Sequence, residues 1–173
     1  MANQLMTLLA VLLGAVTSYA AGALNERVRH RRDQVQRRAE RKLDVYVAYL
    51  DDVKTMRSIA RRMLGDSGLD PKLPIALSKD EGLPLLAEAE AHRSISAERV
   101  LLLGPKEVVE ALRKVNQALW RIEWFARGLI TEPSHDAWTH AKQEFEVAIN
   151  AFRESVRRDL RVSDDLAADL GNV

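Results

Sequence analysis

The chain has 173 residues, 47 % of them hydrophobic, and nearly balanced charge, with 26 Lys and Arg against 25 Asp and Glu. That length supports one domain with a real core plus an appended segment and excludes two full domains, and the balance excludes a bulk polycation. Absence of cysteine excludes a disulfide framework, a thiolate zinc site and a cysteine nucleophile; five prolines, eight glycines and no internal repeat point to an all-α chain.

Leu5 to Leu24, LMTLLAVLLGAVTSYAAGAL, is twenty residues without a charge. As a helix at about 1.5 Å per residue it spans roughly 30 Å, the thickness of a bilayer's hydrocarbon core. Its eight Leu and Val residues each favour insertion by about 0.3–0.6 kcal/mol, whereas one central arginine costs about 2.5–3.5 kcal/mol. Only a clean run inserts, so a membrane boundary requires the abrupt change of composition after Asn25. Within the run Ala10, Gly14, Ser18 and Gly22 recur at steps of four, a small-residue stripe that allows a second helix to approach closely and form a homodimer.

Basic residues follow the run: Arg27, Arg29, Arg31, Arg32, Arg37, Arg38, Arg41 and Lys42, against Glu26, Asp33 and Glu40, a local net of +5. Such an excess marks the cytoplasmic flank of a span, which places the short N-terminus outside and the rest in the cytoplasm, at the plasma membrane. The same cations suit acidic headgroups, each contributing about 1 kcal/mol near an anionic leaflet. Nucleic acid is not the expected partner, because no aromatic residues are interleaved with the charge. A cleaved signal peptide, with Ala20 to Ala23 as the processing site, is the alternative; no Lys or Arg precedes the run to support it.

From Asn25 no proline or glycine occurs before Gly65, and Ala39, Leu43, Tyr46, Leu50, Val53, Met56, Ala60 and Met63 keep helical steps, so one helix is expected to leave the membrane unbroken. Its first part has only Val28 and Val35 as large apolar residues and reads as a stalk. Gly65 to Asp80 reads as a loop. Leu83 to Leu103 reads as a second helix with Leu86, Ala89, Arg93, Ser96, Val100 and Leu103 inward and Pro84 in its first turn. Pro105 to Arg127 reads as a third, with Val108, Leu112, Val115, Leu119, Ile122 and Ala126 inward and Gly128 as its stop. The fourth, introduced by Pro133 and Ser134, has Trp138, Ala141, Phe145, Ala148, Phe152, Val156 and Leu160 as its stripe. The expected layout is a transmembrane anchor over 1–25, a basic stalk over 26–42, an antiparallel bundle of about four helices over 43–162 and an acidic, frayed tail over 163–173.

The most distinctive stretch is WRIEWFARG, Trp120 to Gly128. Trp120 and Trp124 share one side of a helix, and Glu123 and Arg127 are spaced to pair. Two readings fit: an aromatic interaction groove with a partly buried ion pair, and indoles filling the bundle, which is the expectation. Arg93, Glu98 and Glu123 are candidates for a polar network between the second and third helices. Four histidines raise a metal site, but no Glu-x-x-His occurs, and the spaced pairs Glu88/His92 and Asp136/His140 lack further carboxylates. No metalloprotease, P-loop, dinucleotide or nucleophile-elbow motif is present, so no catalysis and no cofactor is expected.

With LLAEAEAHRSISAERVLLLG (Leu85 to Gly104), WRIEWFARG and ERKLDVY (Glu40 to Tyr46) quoted, the chain resembles a group of uncharacterised, single-pass, all-α proteins of high-GC Gram-positive bacteria. The likeness extends over the whole layout and implies membrane attachment and an all-α fold; it carries no activity and no functional residue. The function expected is a non-catalytic adaptor or scaffold at the cytoplasmic face, with an unknown protein partner. A secreted or surface ligand-binding bundle is the alternative.

Overall fold

No proline interrupts the chain before Pro71, and the first helix, α1, runs over Ala2–Asp66. The computed structural model describes the backbone of residues 2–66, 69 and 76–169 and the side chains of residues 33–65, 69 and 76–161. Three more helices follow, α2 (Lys79–Leu103), α3 (Lys106–Arg127) and α4 (His135–Asp169), with no strand among the described residues. The side chains of Leu5 to Leu24, including the stripe Ala10, Gly14, Ser18 and Gly22, lie outside the described residues, as do those of Arg27, Arg29, Arg31 and Arg32 and of the tail. Among the described residues no helix is long and apolar enough to cross a membrane.

Contacts divide the chain into two compact units, residues 1–40 with 162–173, and residues 41–161. In the first, Arg37 and Arg38 are exposed, Val35 and Ala39 are half-buried, and Gln36 Nε2 donates to Glu40 Oε1 at 3.2 Å.

The second unit is an antiparallel bundle. Between α1 and α4, Lys42 meets Asp159 and Arg57 meets Glu146, so residue numbers rise on one helix as they fall on the other. Between α3 and α4, Phe125 stacks edge-on against Trp138 and Arg121 pairs with Glu144. The Gly104–Pro105 turn reverses α2 into α3, and α2 runs back along α1 from Leu77, whose N–H donates to the Arg62 carbonyl at 3.0 Å.

The core is aromatic along α1 and α4. Tyr46, Tyr49, Trp138, Phe145 and Phe152 are fully buried, and Phe152 meets Tyr49 and Tyr46 edge-on at 5.1 and 6.3 Å between centroids. Edge-to-face pairs add about 0.5–1.5 kcal/mol to the burial itself. The inward stripe expected for α3 is buried throughout, and that of α4 from Trp138 to Val156. On α1 the stripe turns toward Tyr49 and Leu64, leaving Leu43 exposed and Leu50 half-buried.

Helix ends differ from the sequence expectation in three places. α2 starts at Lys79, earlier than Leu83, because Ser78 and Glu81 form a capping box: the Glu81 N–H donates to Ser78 Oγ while the Ser78 N–H donates to Glu81 Oε2. Pro84 therefore lies inside the helix beyond its first turn, where its missing N–H removes one intrahelical bond. At the other end of the chain α4 continues past Val162 to Asp169, since no glycine or proline occurs before Gly171. Leu103, expected to face inward, is exposed at the last turn of α2.

Two glycines are required by geometry. A Cβ on Gly82 would sit 2.4 Å from Met63 Cγ, so the first turn of α2 packs on α1 only without a side chain there. Gly128 has φ +73° and ends α3, its N–H donating to the Phe125 carbonyl and that of Leu129 to the Trp124 carbonyl, a left-handed closure that disfavours residues with a Cβ.

Candidate functional site

The α3 stretch that carries Trp120, Glu123, Trp124 and Arg127 divides by helical angle. Ile122, Phe125 and Ala126 point into the bundle, so Trp120 and Trp124, roughly opposite them, point out; they are 42 % and 47 % exposed. This corrects the expectation that both indoles fill the core. The interior is already occupied by Leu119, Ile122 and Phe125, the last of which reaches Trp138 at 5.6 Å between centroids. Counting angle from the Leu119–Ile122–Ala126 stripe would have located the tryptophans outside it, and size and apolarity alone misplace them.

Between these outward indoles and the core lies the α2–α3 seam, where the polar residues gather. Glu123 is buried and accepts from Arg127 Nε at 2.5 Å, while Arg127 Nη2 donates to Glu90 Oε2 on α2 at 3.4 Å. The expected Glu123–Arg127 pair thus forms and is tied to a third member. One helix turn or more away, Arg93 is 4 % exposed; its Nη1 donates to Asn116 Oδ1 at 2.8 Å and its Nη2 to Ser94 Oγ at 3.3 Å. Tyr49 Oη donates to the same Asn116 oxygen at 2.9 Å, which links α1 to both other helices. Glu98 is exposed and belongs to neither cluster, so the network expected among Arg93, Glu98 and Glu123 is replaced by Tyr49–Asn116–Arg93 and Glu90–Arg127–Glu123. Asn116 and Tyr49 escaped sequence reasoning because neither interrupts an apolar stripe; their role depends on three helices meeting.

A buried cation with an amide as its acceptor is an unusual arrangement, because desolvation is offset by hydrogen bonding alone. Arg93 Nε meets no hydrogen-bond partner among the described residues. Burial pushes the Tyr49 hydroxyl well above the usual tyrosine range, with the Arg93 guanidinium pulling the other way. Tyr46 is raised by burial and by its hydrogen bond to Asp159 at 2.7 Å. Neither phenol is poised to act as a base near neutrality.

Of the basic set, Arg37, Arg38 and Arg41 are exposed. Lys42 is not. Its Nζ donates to Asp159 Oδ1 and Oδ2 at 2.8 and 3.0 Å, because at residue 42 α1 has already entered the bundle and α4 supplies a carboxylate. That corrects its place in the basic stalk.

A groove of about 530 Å³ opens between α3 and α4, with Ala118, Ala148 and Val147 along it and Lys114, Arg121, His140 and Glu144 at its polar rim. Neither tryptophan lines it, so in place of the aromatic groove drawn from sequence there is an aromatic ridge on α3 and a separate groove lined by small aliphatic and polar side chains. Arg121 pairs with Glu144, and His140 Nδ1 lies 3.6 Å from Glu144, away from Asp136. Among the described residues no three carboxylates, histidines or cysteines assemble as a metal site. In comparison with known proteins, no family, curated protein or solved structure matches the chain.

Proposed function

We propose that the chain is a non-catalytic adaptor, held at the cytoplasmic face of the plasma membrane by Leu5 to Leu24, that offers α3 to a protein partner. The observation that carries this reading is the Trp120–Trp124 ridge. Two indoles one turn apart, nearly half exposed, are the residue type that dominates binding energy at interfaces, and no other part of the described chain covers them. Support for the location comes from the uncharged run and the arginines that follow it, with Arg37, Arg38 and Arg41 exposed to acidic headgroups. Tethering restricts the ridge to a thin layer beside the membrane, which raises its effective concentration for a partner confined there.

The α3–α4 groove favours a second reading, a secreted or surface bundle that binds a ligand after removal of the N-terminal run. N-terminal sequencing of the protein from its host separates the two. An intact start, retention in carbonate-washed membranes and a C-terminal region shielded from protease in intact cells are the expected results. Release into buffer with the first 24 residues still attached overturns the anchored reading.

A further inference from the structure

Helix α2 is apolar on two opposite sides. Its inward side holds Leu86, Ala89 and Val100; on its outward side Ile95 is 58 % and Leu102 81 % exposed, seven residues apart and so in line two turns from each other, with Ala91 one turn before Ile95. Among the described residues only the inward side has neighbours, and the Ile95–Leu102 line stays open beside the exposed Glu88, Glu98 and Arg99. Between Ile95 and Leu102 stand Glu98 and Arg99, both exposed and neither in an ion pair among the described residues.

We propose that this outward side of α2 is the contact between two copies of the chain, packed side by side and parallel about a two-fold axis. The pattern specifies its own complement. In a parallel pair Ile95 meets Ile95 of the second copy and Leu102 meets Leu102, the seven-residue seam of two helices in register. Glu98 and Arg99 flank that line on opposite sides, so the two-fold axis puts Glu98 of one copy beside Arg99 of the other and forms that ion pair twice. A lipid surface offers nothing to Glu98, whereas a second copy satisfies apolar line and charges together. The parallel direction rests on the anchored reading, since copies held in one membrane present the same end; the contact itself does not.

The chain has no cysteine, so a single introduced thiol reports one position. In the full chain in detergent micelles, Leu102→Cys should cross-link to dimer with a short bismaleimide at least about tenfold faster than Thr139→Cys, on the exposed side of α4. Glu98→Arg should weaken association about tenfold, and Glu98→Arg with Arg99→Glu should restore it. Equal cross-linking at the two positions, or a double variant no tighter than the single one, overturns the proposal. Quenching of a dye at residue 102 by nitroxide-labelled lipid in a monomeric chain overturns it in favour of a lipid contact. Cross-linking of Leu102→Cys to Glu88→Cys in mixed chains, in preference to itself, overturns the parallel arrangement. If the full chain proves to dissolve without detergent, the anchored reading fails, and the same cross-linking in buffer still decides the α2 contact.

Discussion

The seam between α1 and α4 and the seam between α2 and α3 solve the same packing problem with opposite chemistry. Along α1 and α4 the buried contact is aromatic, with Tyr46 and Tyr49 closing on Phe152 and Arg57 over the Phe145 ring at 4.7 Å, and the ion pairs Lys42–Asp159 and Arg57–Glu146 stand at its margin. Along α2 and α3 the buried apolar residues are interrupted by polar ones, Arg93 and Glu123 inside and Asn116, Glu90 and Arg127 half-buried beside them. Apolar contact is non-directional and tolerates small slides, whereas a guanidinium on one amide oxygen has a single register. The first seam therefore supplies cohesion. The second fixes how α2 sits against α3, and with it the direction in which the outward sides of both helices point.

The largest effect should come from breaking the aromatic seam. Phe152→Ala removes a fully buried ring and two edge-on partners, and such truncations cost about 3–5 kcal/mol. Urea unfolding followed by circular dichroism measures it. A loss near that of a surface substitution would show that the seam relaxes around the gap and that cohesion lies elsewhere.

Asn116→Leu tests the polar seam. It leaves Arg93 and the Tyr49 hydroxyl without their acceptor in the interior, and an expected loss of about 2–3 kcal/mol follows from stranding a charged donor. Arg93→Met together with Asn116→Leu removes the stranded charge, and the part of the stability owed to it should return, because apolar replacement of a buried polar pair is often neutral or better, while the Tyr49 hydroxyl still lacks its acceptor. The contrast sharpens if the double variant is stable but gives broadened side-chain NMR signals at α2, since register would then have been the seam's contribution. A double variant as unstable as the single one would show the network to be cohesive after all.

How much of this could be read from the residues depends on which forces were at work. Stripes on α3 and α4 were legible because a 3.6-residue period in Leu, Val, Ile and Phe has one solution, and each stripe is buried as read from Val108 to Ala126 and from Trp138 to Val156. On α1 two stripes compete, one through Leu43 and Leu50 and one through Tyr49, and only the position of Phe152 on another helix selects the second. Arg93 announced itself by interrupting an apolar face, yet its acceptor Asn116 stands on a different helix outside any stripe. Trp120 and Trp124 were misplaced for the converse reason. Their apolar bulk argues for burial, while their angle on α3, fixed by smaller neighbours, argues for exposure, and angle prevails once Phe125 fills the space. The capping box at Ser78 and Glu81 was present in the sequence three residues apart and extends α2 beyond its apolar periodicity.

A smaller effect is expected at the end of α3, where the polar seam stops. Gly128→Ala puts a Cβ on a residue at φ +73°, and its nearest new neighbour, Lys79 Nζ at 2.8 Å, is the far end of a flexible chain. The strain is then mostly in the backbone, about 1 kcal/mol. Gly128→Asn should cost less, because asparagine tolerates the left-handed region better than alanine. Equal losses for the two variants, read from urea midpoints, would assign the cost to the Lys79 contact instead.

The smallest effect lies at the start of α2, where the seam begins, and pH reads it. The Glu81 carboxylate accepts from the Ser78 hydroxyl and from the Ser78 N–H, and these two hydrogen bonds hold the carboxyl below its ordinary value of 4.5. A carboxylate whose folded value is depressed stabilises the fold above its unfolded value, and that contribution is lost as pH falls through the folded value. Stability should therefore decline as pH drops below about 4.5, with a Glu81 component absent from Glu81→Gln. Ser78→Ala removes the cap at all pH values, at a cost of about 1 kcal/mol, and should also flatten that acid component, because the hydroxyl is the first cause of the shift. If Ser78→Ala lowers the urea midpoint but leaves the acid limb as steep as before, then Glu81 draws its depressed value from the residue-78 N–H, which alanine keeps, and from Arg62, rather than from the hydroxyl.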